Sequence, residues 1–101
     1  MIPYVLSAQA QQNLQQIRGY LLQEAGFRVA RHVMSSMVAA FRALSRTPGQ
    51  GHRREDLTQR EELRFWAVFS YLIVYRIDKR PLVVVAVIHA KRNVEQVLEG
   101  R

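Results

Sequence analysis

The sequence predicts an α+β fold, with an N-terminal strand and a helical hairpin packed on one face of an antiparallel sheet in the order β-α-α-β-β-β. Three observations carry this reading. Apolar residues recur at helical spacing through two adjoining stretches, Ala10, Leu14, Ile17 and Leu21, then Ala30, Val33, Met34, Met37, Val38, Phe41 and Leu44. From Leu63 the period changes, and the runs 63–68, 71–77 and 82–88 are rich in aromatic and β-branched residues. The joins between elements are short, which favours an antiparallel helix pair and a strand meander.

Taken in order, residues 2–6 make a short apolar strand that stops at Ser7, whose hydroxyl can cap the first helix. Gly26 ends that helix, since glycine accepts the left-handed conformation. Gln9, Gln11, Gln12, Gln15, Gln16 and Arg18 form a solvated face, with Tyr20 beside the apolar stripe. In the second helix Arg28, Arg31, His32, Ser35 and Arg42 lie off the stripe, and Met34 and Met37 read as core filler. Residues 45–56 form the one long loop, where Pro48-Gly49 and Gly51 stop the helix and His52, Arg53 and Arg54 follow. Its spacing fits no phosphate-binding glycine loop, and no Gly-Lys-Ser/Thr is present. A turn at Phe69-Ser70 separates the first two meander strands without Gly, Asn or Pro. A short helical turn over 94–98 precedes the end.

At 101 residues the chain is read as a single domain, 1–101, with one core. No apolar run approaches the roughly 18 residues of a membrane span, and the first residues lack the pattern of a signal peptide. With no cysteine there are no disulfides, thiolate nucleophiles or Cys-based zinc sites. His32, His52 and His89 have no ligand spacing, so no metal and no cofactor is expected, and a cytoplasmic protein is the default. Fifteen Lys and Arg against eight Asp and Glu give +7, and only two of the cations are Lys. Arginine suits bidentate contact with carboxylate or phosphate, so an anionic partner is expected, nucleic acid or acidic protein.

The run 82–88, Leu-Val-Val-Val-Ala-Val-Ile after Pro81, reads as a strand buried on both faces that delivers His89, Lys91 and Arg92 to the sheet rim. In regular alternation Leu82, Val84, Ala86 and Ile88 face one way, and Val83, Val85, Val87 and His89 the other. One helical layer covers one face, and the short tail can cover the second only in part, so an exposed apolar patch that marks a binding surface is expected there.

The order of elements and several residues resemble the RelE/ParE superfamily, the toxins of type II toxin–antitoxin pairs. Tyr4-Val5-Leu6-Ser7 with Ala10, Leu14, Ile17 and Tyr20 is similar to the family opening. Ala30, Leu44, Pro48, Gly51, Arg53 and Leu57 follow its helix-to-loop pattern. Tyr71-Leu72-Ile73-Val74-Tyr75-Arg76 resembles its Tyr-Leu-Ile-x-Tyr-Arg strand, and Ile88-His89-Ala90-Lys91-Arg92-Asn93 its closing His-x-x-Arg-Asp, a mark of the ParE branch, with Asn93 in place of the usual Asp. The resemblance implies a ParE-like toxin that inhibits DNA gyrase and so replication. It also implies a cognate ParD-like antitoxin in a hetero-oligomer, with DNA contacted only through that complex.

Three functions compete. The first is this non-enzymatic toxin, with His89, Lys91, Arg92 and Asn93 on the target and Arg53, Arg54 and Arg76 on the antitoxin carboxylates. The second is a RelE-like, ribosome-dependent mRNA endonuclease, with His89 as base, Arg76 and Arg92 as cations and Glu61 or Glu62 as a second proton group. The third is a plain basic nucleic-acid-binding module, for which no helix-turn-helix or base-stacking motif is present. The incomplete acid–base set disfavours the second.

Overall fold

The computed structural model describes residues 3–90. Strand β1 (Tyr4–Leu6) leads into helices α1 (Ala8–Glu24) and α2 (Phe27–Arg46), a 3-10 turn (Pro48–Gln50), and strands β2 (Leu63–Val68), β3 (Tyr71–Arg76) and β4 (Leu82–His89). The α+β order and the helical hairpin on the sheet are as the sequence predicts. The helical turn expected over 94–98 lies outside the described residues. Neither helix is long and apolar enough to cross a membrane.

Ser7 ties helix to sheet. Its Oγ accepts from the Ala10 N–H at 3.0 Å, capping α1, and donates to the Val85 carbonyl at 2.7 Å. Ala25 and Gly26 close the helix by donating to the Leu21 carbonyl, and Gly26 takes φ 90°, where a side chain would be strained. Ala30, Val33, Met37, Phe41 and Leu44 of α2 are buried, as their spacing requires, and Phe41 meets the Tyr4 ring at 5.3 Å. Val38, expected in the stripe, turns outward and is 38% exposed. Its position, one residue past Met37, lies about 100° round the helix from the core line.

The sheet order is β1-β4-β3-β2. Strands β2, β3 and β4 form the expected antiparallel meander, and β1 joins β4 in parallel, Leu6 opposite Val84. The sheet is therefore mixed, with its one parallel pair at the β1 edge.

Regular alternation along 82–88 fails at one point. Ala86 pairs with Val74 but Val84 pairs with Tyr75, so Val85 is an extra residue in β4. A bulge of this kind places neighbours on one face and reverses the parity beyond it. Leu82 and Val84 face the helices, and past the bulge so does Val87, whereas Val85, Ala86 and Ile88 pack on the far side. The apolar patch expected on that far face is not open. Leu63, Phe65, Leu72, Val74, Ala86 and Ile88 are all buried there, and Leu57, just past the long loop, packs against them.

Candidate functional site

Strand β1 spans only three residues, and past Val84 no described strand pairs with that edge of β4. Side chains from α1 take over. Ser7 Oγ meets the Val85 carbonyl, and Asn13 Oδ1 accepts the Val87 N–H at 3.1 Å. Asn13 is 6% exposed, the buried polar side chain among the described residues, and this bond satisfies its amide oxygen. Sequence reading passed over Asn13, although its spacing from Ala10 and Ile17 places it inside the apolar stripe.

Beyond Asn13 the helices and the strand edge diverge, leaving an open groove of ≈ 740 Å³, mostly apolar. Ile17 and Tyr20 from α1, Val29 and His32 from α2, and Phe69, Tyr71 and His89 from the sheet line it. Tyr20 is 61% exposed and Phe69 60%, large values for aromatic rings. Phe69 also holds φ 54° in the two-residue turn between β2 and β3. A bulky residue there costs on the order of 1–3 kcal/mol, which glycine or asparagine would avoid. In that strained pose its ring sits 5.6 Å from His32, forming one wall. The turn that lacked a turn-former in the sequence is thus the place where a groove residue is held out.

The bulge brings His89 to the same groove. It stands on the helix face, half-buried, with its ring edge-on to its cross-strand neighbour Tyr71 at 5.5 Å. The regular alternation read from sequence grouped it with Val83 and Val85; it shares a face with Val84 and Val87 instead. Burial raises the Tyr71 phenol above its ordinary value. His52 lies elsewhere, stacked on Trp66 at 6.1 Å, its backbone bonded to both polar groups of Phe65 along the outer edge of β2.

Arg76 ends β3 on the opposite face and at the opposite end from His89. It lies five steps along the strand from Tyr71, about 17 Å at 3.4 Å per residue. Its Nε and Nη2 bond Asp78 at 3.0 and 2.8 Å, and the hydrogen bond holds Asp78 below its ordinary value. Glu62, whose carboxylate pairs with Arg60, is close enough to feel the Arg76 charge. The nuclease grouping of His89, Arg76 and Glu62 therefore does not converge. Arg54 binds Asp56 in the same bidentate manner, and Arg53 faces Glu55 at 3.8 Å. Arg53, Arg54 and Arg76 each already hold a carboxylate two residues on, and none of them lines the groove. Lys91, Arg92 and Asn93 lie outside the described residues.

Tyr75, also at the far end, is fully buried. Its hydroxyl accepts from the Gly51 N–H at 3.0 Å and donates to the Pro48 carbonyl. A Cβ on Gly51 would run into that hydroxyl, so glycine is required there by the approach of the ring.

Among the described residues, a strand, a helical hairpin and a three-strand meander with an open aromatic groove make a small α+β domain. The profile for the ParE toxin of type II toxin–antitoxin systems, parDE, matches residues 4–94, and the chain belongs to that family. Its fold is similar to a chain of the chromosomal ParDE TA system from P. aeruginosa, with a TM-score of 0.71 at 14% identity. That match covers 88% of this chain and 96% of the other. Comparison with curated proteins gives no match.

Proposed function

We propose that this ParE-family toxin acts in the cytoplasm by inhibiting DNA gyrase, and that a cognate ParD-like antitoxin neutralises it by filling the groove between the hairpin and the end of β4. The observation that carries the first part is the separation of His89 from Arg76 by about 17 Å and by the thickness of the sheet. General acid–base cleavage of RNA needs its proton groups and its cations around one phosphate, within hydrogen-bond reach. A toxin that works by occupying a protein target needs no such convergence.

Support for the second part comes from the groove walls. Exposed Tyr20 and Phe69, beside Val29 and Ile17, are the aromatic and aliphatic anchors on which binding energy concentrates. An antitoxin segment that folds as it docks would lay its apolar side here. Because His89 lines the same groove, the occupant would cover the start of the His89–Asn93 target surface, and neutralisation becomes direct occlusion. Arg53, Arg54 and Arg76 would meet antitoxin carboxylates as the segment continues round the domain, exchanging one partner for another of the same chemistry.

Purified toxin should inhibit supercoiling of plasmid DNA by gyrase and leave messenger RNA intact on translating ribosomes. Added antitoxin should restore supercoiling. Cleaved messenger RNA with unimpeded supercoiling would replace the gyrase reading with the endonuclease one.

A further inference from the structure

The positive charge of this chain is segregated. In the stretch from His52 to Arg64, four arginines are matched by four acidic residues, and Arg53, Arg54 and Arg60 are each paired to one of them. Helix α2 differs. It carries Arg28, Arg31, Arg42 and Arg46 and no acidic residue at all, and none of the four takes part in a salt bridge among the described residues. At 3.6 residues per turn the four fall within roughly 60° of one another, on the face turned away from Ala30, Met37 and Leu44. All four are exposed, and so are Ser35 and Ala39 between them. The result is a straight basic stripe about 27 Å long at 1.5 Å per residue, with Ser35 and Ala39 between its arginines and the exposed Phe27 and Val38 along one margin.

We infer that the outer face of α2 binds the phosphate backbone of duplex DNA. Arginine forks match phosphate oxygens bidentately, and contacts of this kind position a protein on DNA without reading bases. An acidic protein partner would be expected to centre on apolar anchors, whereas the exposed Phe27 and Val38 lie to one side of this line of Arg, Ser and Ala. The stripe faces away from the sheet, and the α2 residues that line the groove, Val29, His32 and Val33, are not part of it, so a toxin could hold DNA while the groove is filled. This departs from the expectation that DNA is met only through the antitoxin, and it does not depend on gyrase being the target.

The test is fluorescence anisotropy of a labelled, random-sequence DNA duplex titrated with the full chain at several salt concentrations. Four neutralised phosphates predict a slope of log K against log salt of about −3 to −4. Replacing Arg28, Arg31, Arg42 and Arg46 by Gln should weaken binding at least tenfold near 0.1 M salt and remove most of that slope. Replacing Arg53, Arg54, Arg60 and Arg76 by Gln removes as many charges and should change affinity less than about threefold, since distant charges are screened beyond roughly 10 Å. Melting curves of both variants report folding, and the pairs Arg28→Gln/Arg31→Gln and Arg42→Gln/Arg46→Gln, each removing about half the slope, substitute for a quadruple variant that does not fold. Equal losses in the two quadruple variants would reduce the effect to net charge and overturn the proposal. Absence of salt-dependent DNA binding, with poly-glutamate bound in its place, would also overturn it and assign the stripe to an acidic protein.

Discussion

The two ends of β3 carry one continuous motif and behave differently. At the Tyr75–Arg76 end the side chains are tied down: the Tyr75 hydroxyl pins the Pro48–Gly51 loop, Arg76 grips Asp78, and Val74 is buried with Phe65 beside it and Leu57 packed against their cluster. At the Tyr71 end Phe69 is held at positive φ, aromatic rings stand in solvent, and a groove stays open beside His89. A motif that looks uniform along the chain thus has a structural end and a docking end.

The largest expected effect is at the structural end. Tyr75→Ala removes a buried ring and two hydrogen bonds and should cost about 3–5 kcal/mol, in the range of large buried aromatics, as should Phe41→Ala in the α2 core. Denaturant melts that leave either variant near the parent would break the comparison. Next comes the docking end. Tyr20→Ala, and separately Phe69→Gly, should each weaken antitoxin binding by about 2 kcal/mol, roughly 30-fold. Calorimetric titration checks this. Phe69→Gly should at the same time leave stability within about 1 kcal/mol, because relief of the positive φ offsets the lost ring contact with His32. A large drop in its melting temperature would make Phe69 a structural residue and erase the contrast.

Tyr75→Phe is a smaller and sharper probe. It leaves the Gly51 N–H without its acceptor and should cost about 1–2 kcal/mol. The cost of Gly51→Ala should then fall in the Tyr75→Phe background, since the hydroxyl is the first atom its Cβ meets. The smallest effect is acid sensitivity. Arg54 and Arg76 hold Asp56 and Asp78 below the ordinary aspartate value, chiefly by hydrogen bonds. Depressed carboxylates contribute stability that is complete above an ordinary aspartate pKa of about 3.9 and is lost as pH falls through their lower folded values. Both are solvent-exposed, so a slight fall in melting temperature below pH 4 is expected. It should shrink when Arg54 and Arg76 are both replaced by Gln, leaving the part due to Glu62, which its own backbone hydrogen bond and Arg60 also hold below its ordinary value.

Much of the fold was legible because its causes are local. The Ser7 cap, the Gly26 stop, the α2 stripe and the β-branched runs each act within a few residues of themselves. The bulge at Val85 was not legible, since it depends on the register of β4 against β3, and Val83-Val84-Val85 offers no residue that marks it. That one extra residue moved His89 to the helix face and separated it from the surface where sequence alternation had placed it. Leu57 beside the far face was not legible either, since it follows a polar loop and no local spacing ties it to the sheet. Asn13 and Phe69 did carry signals, a polar residue on core spacing and a bulky one in a tight turn. Both violate a local rule, and both lie at the groove.

Hydrogen–deuterium exchange of the toxin, alone and bound to its cognate antitoxin, tests the division most directly. New protection should appear around Tyr20, Val29 to His32, and Phe69 to Tyr71, while the Pro48–Gly51 loop, protected already by Tyr75, should change little. Protection confined to Arg53–Asp56 and Arg76–Asp78, with the groove still exchanging as in the free protein, would contradict the account.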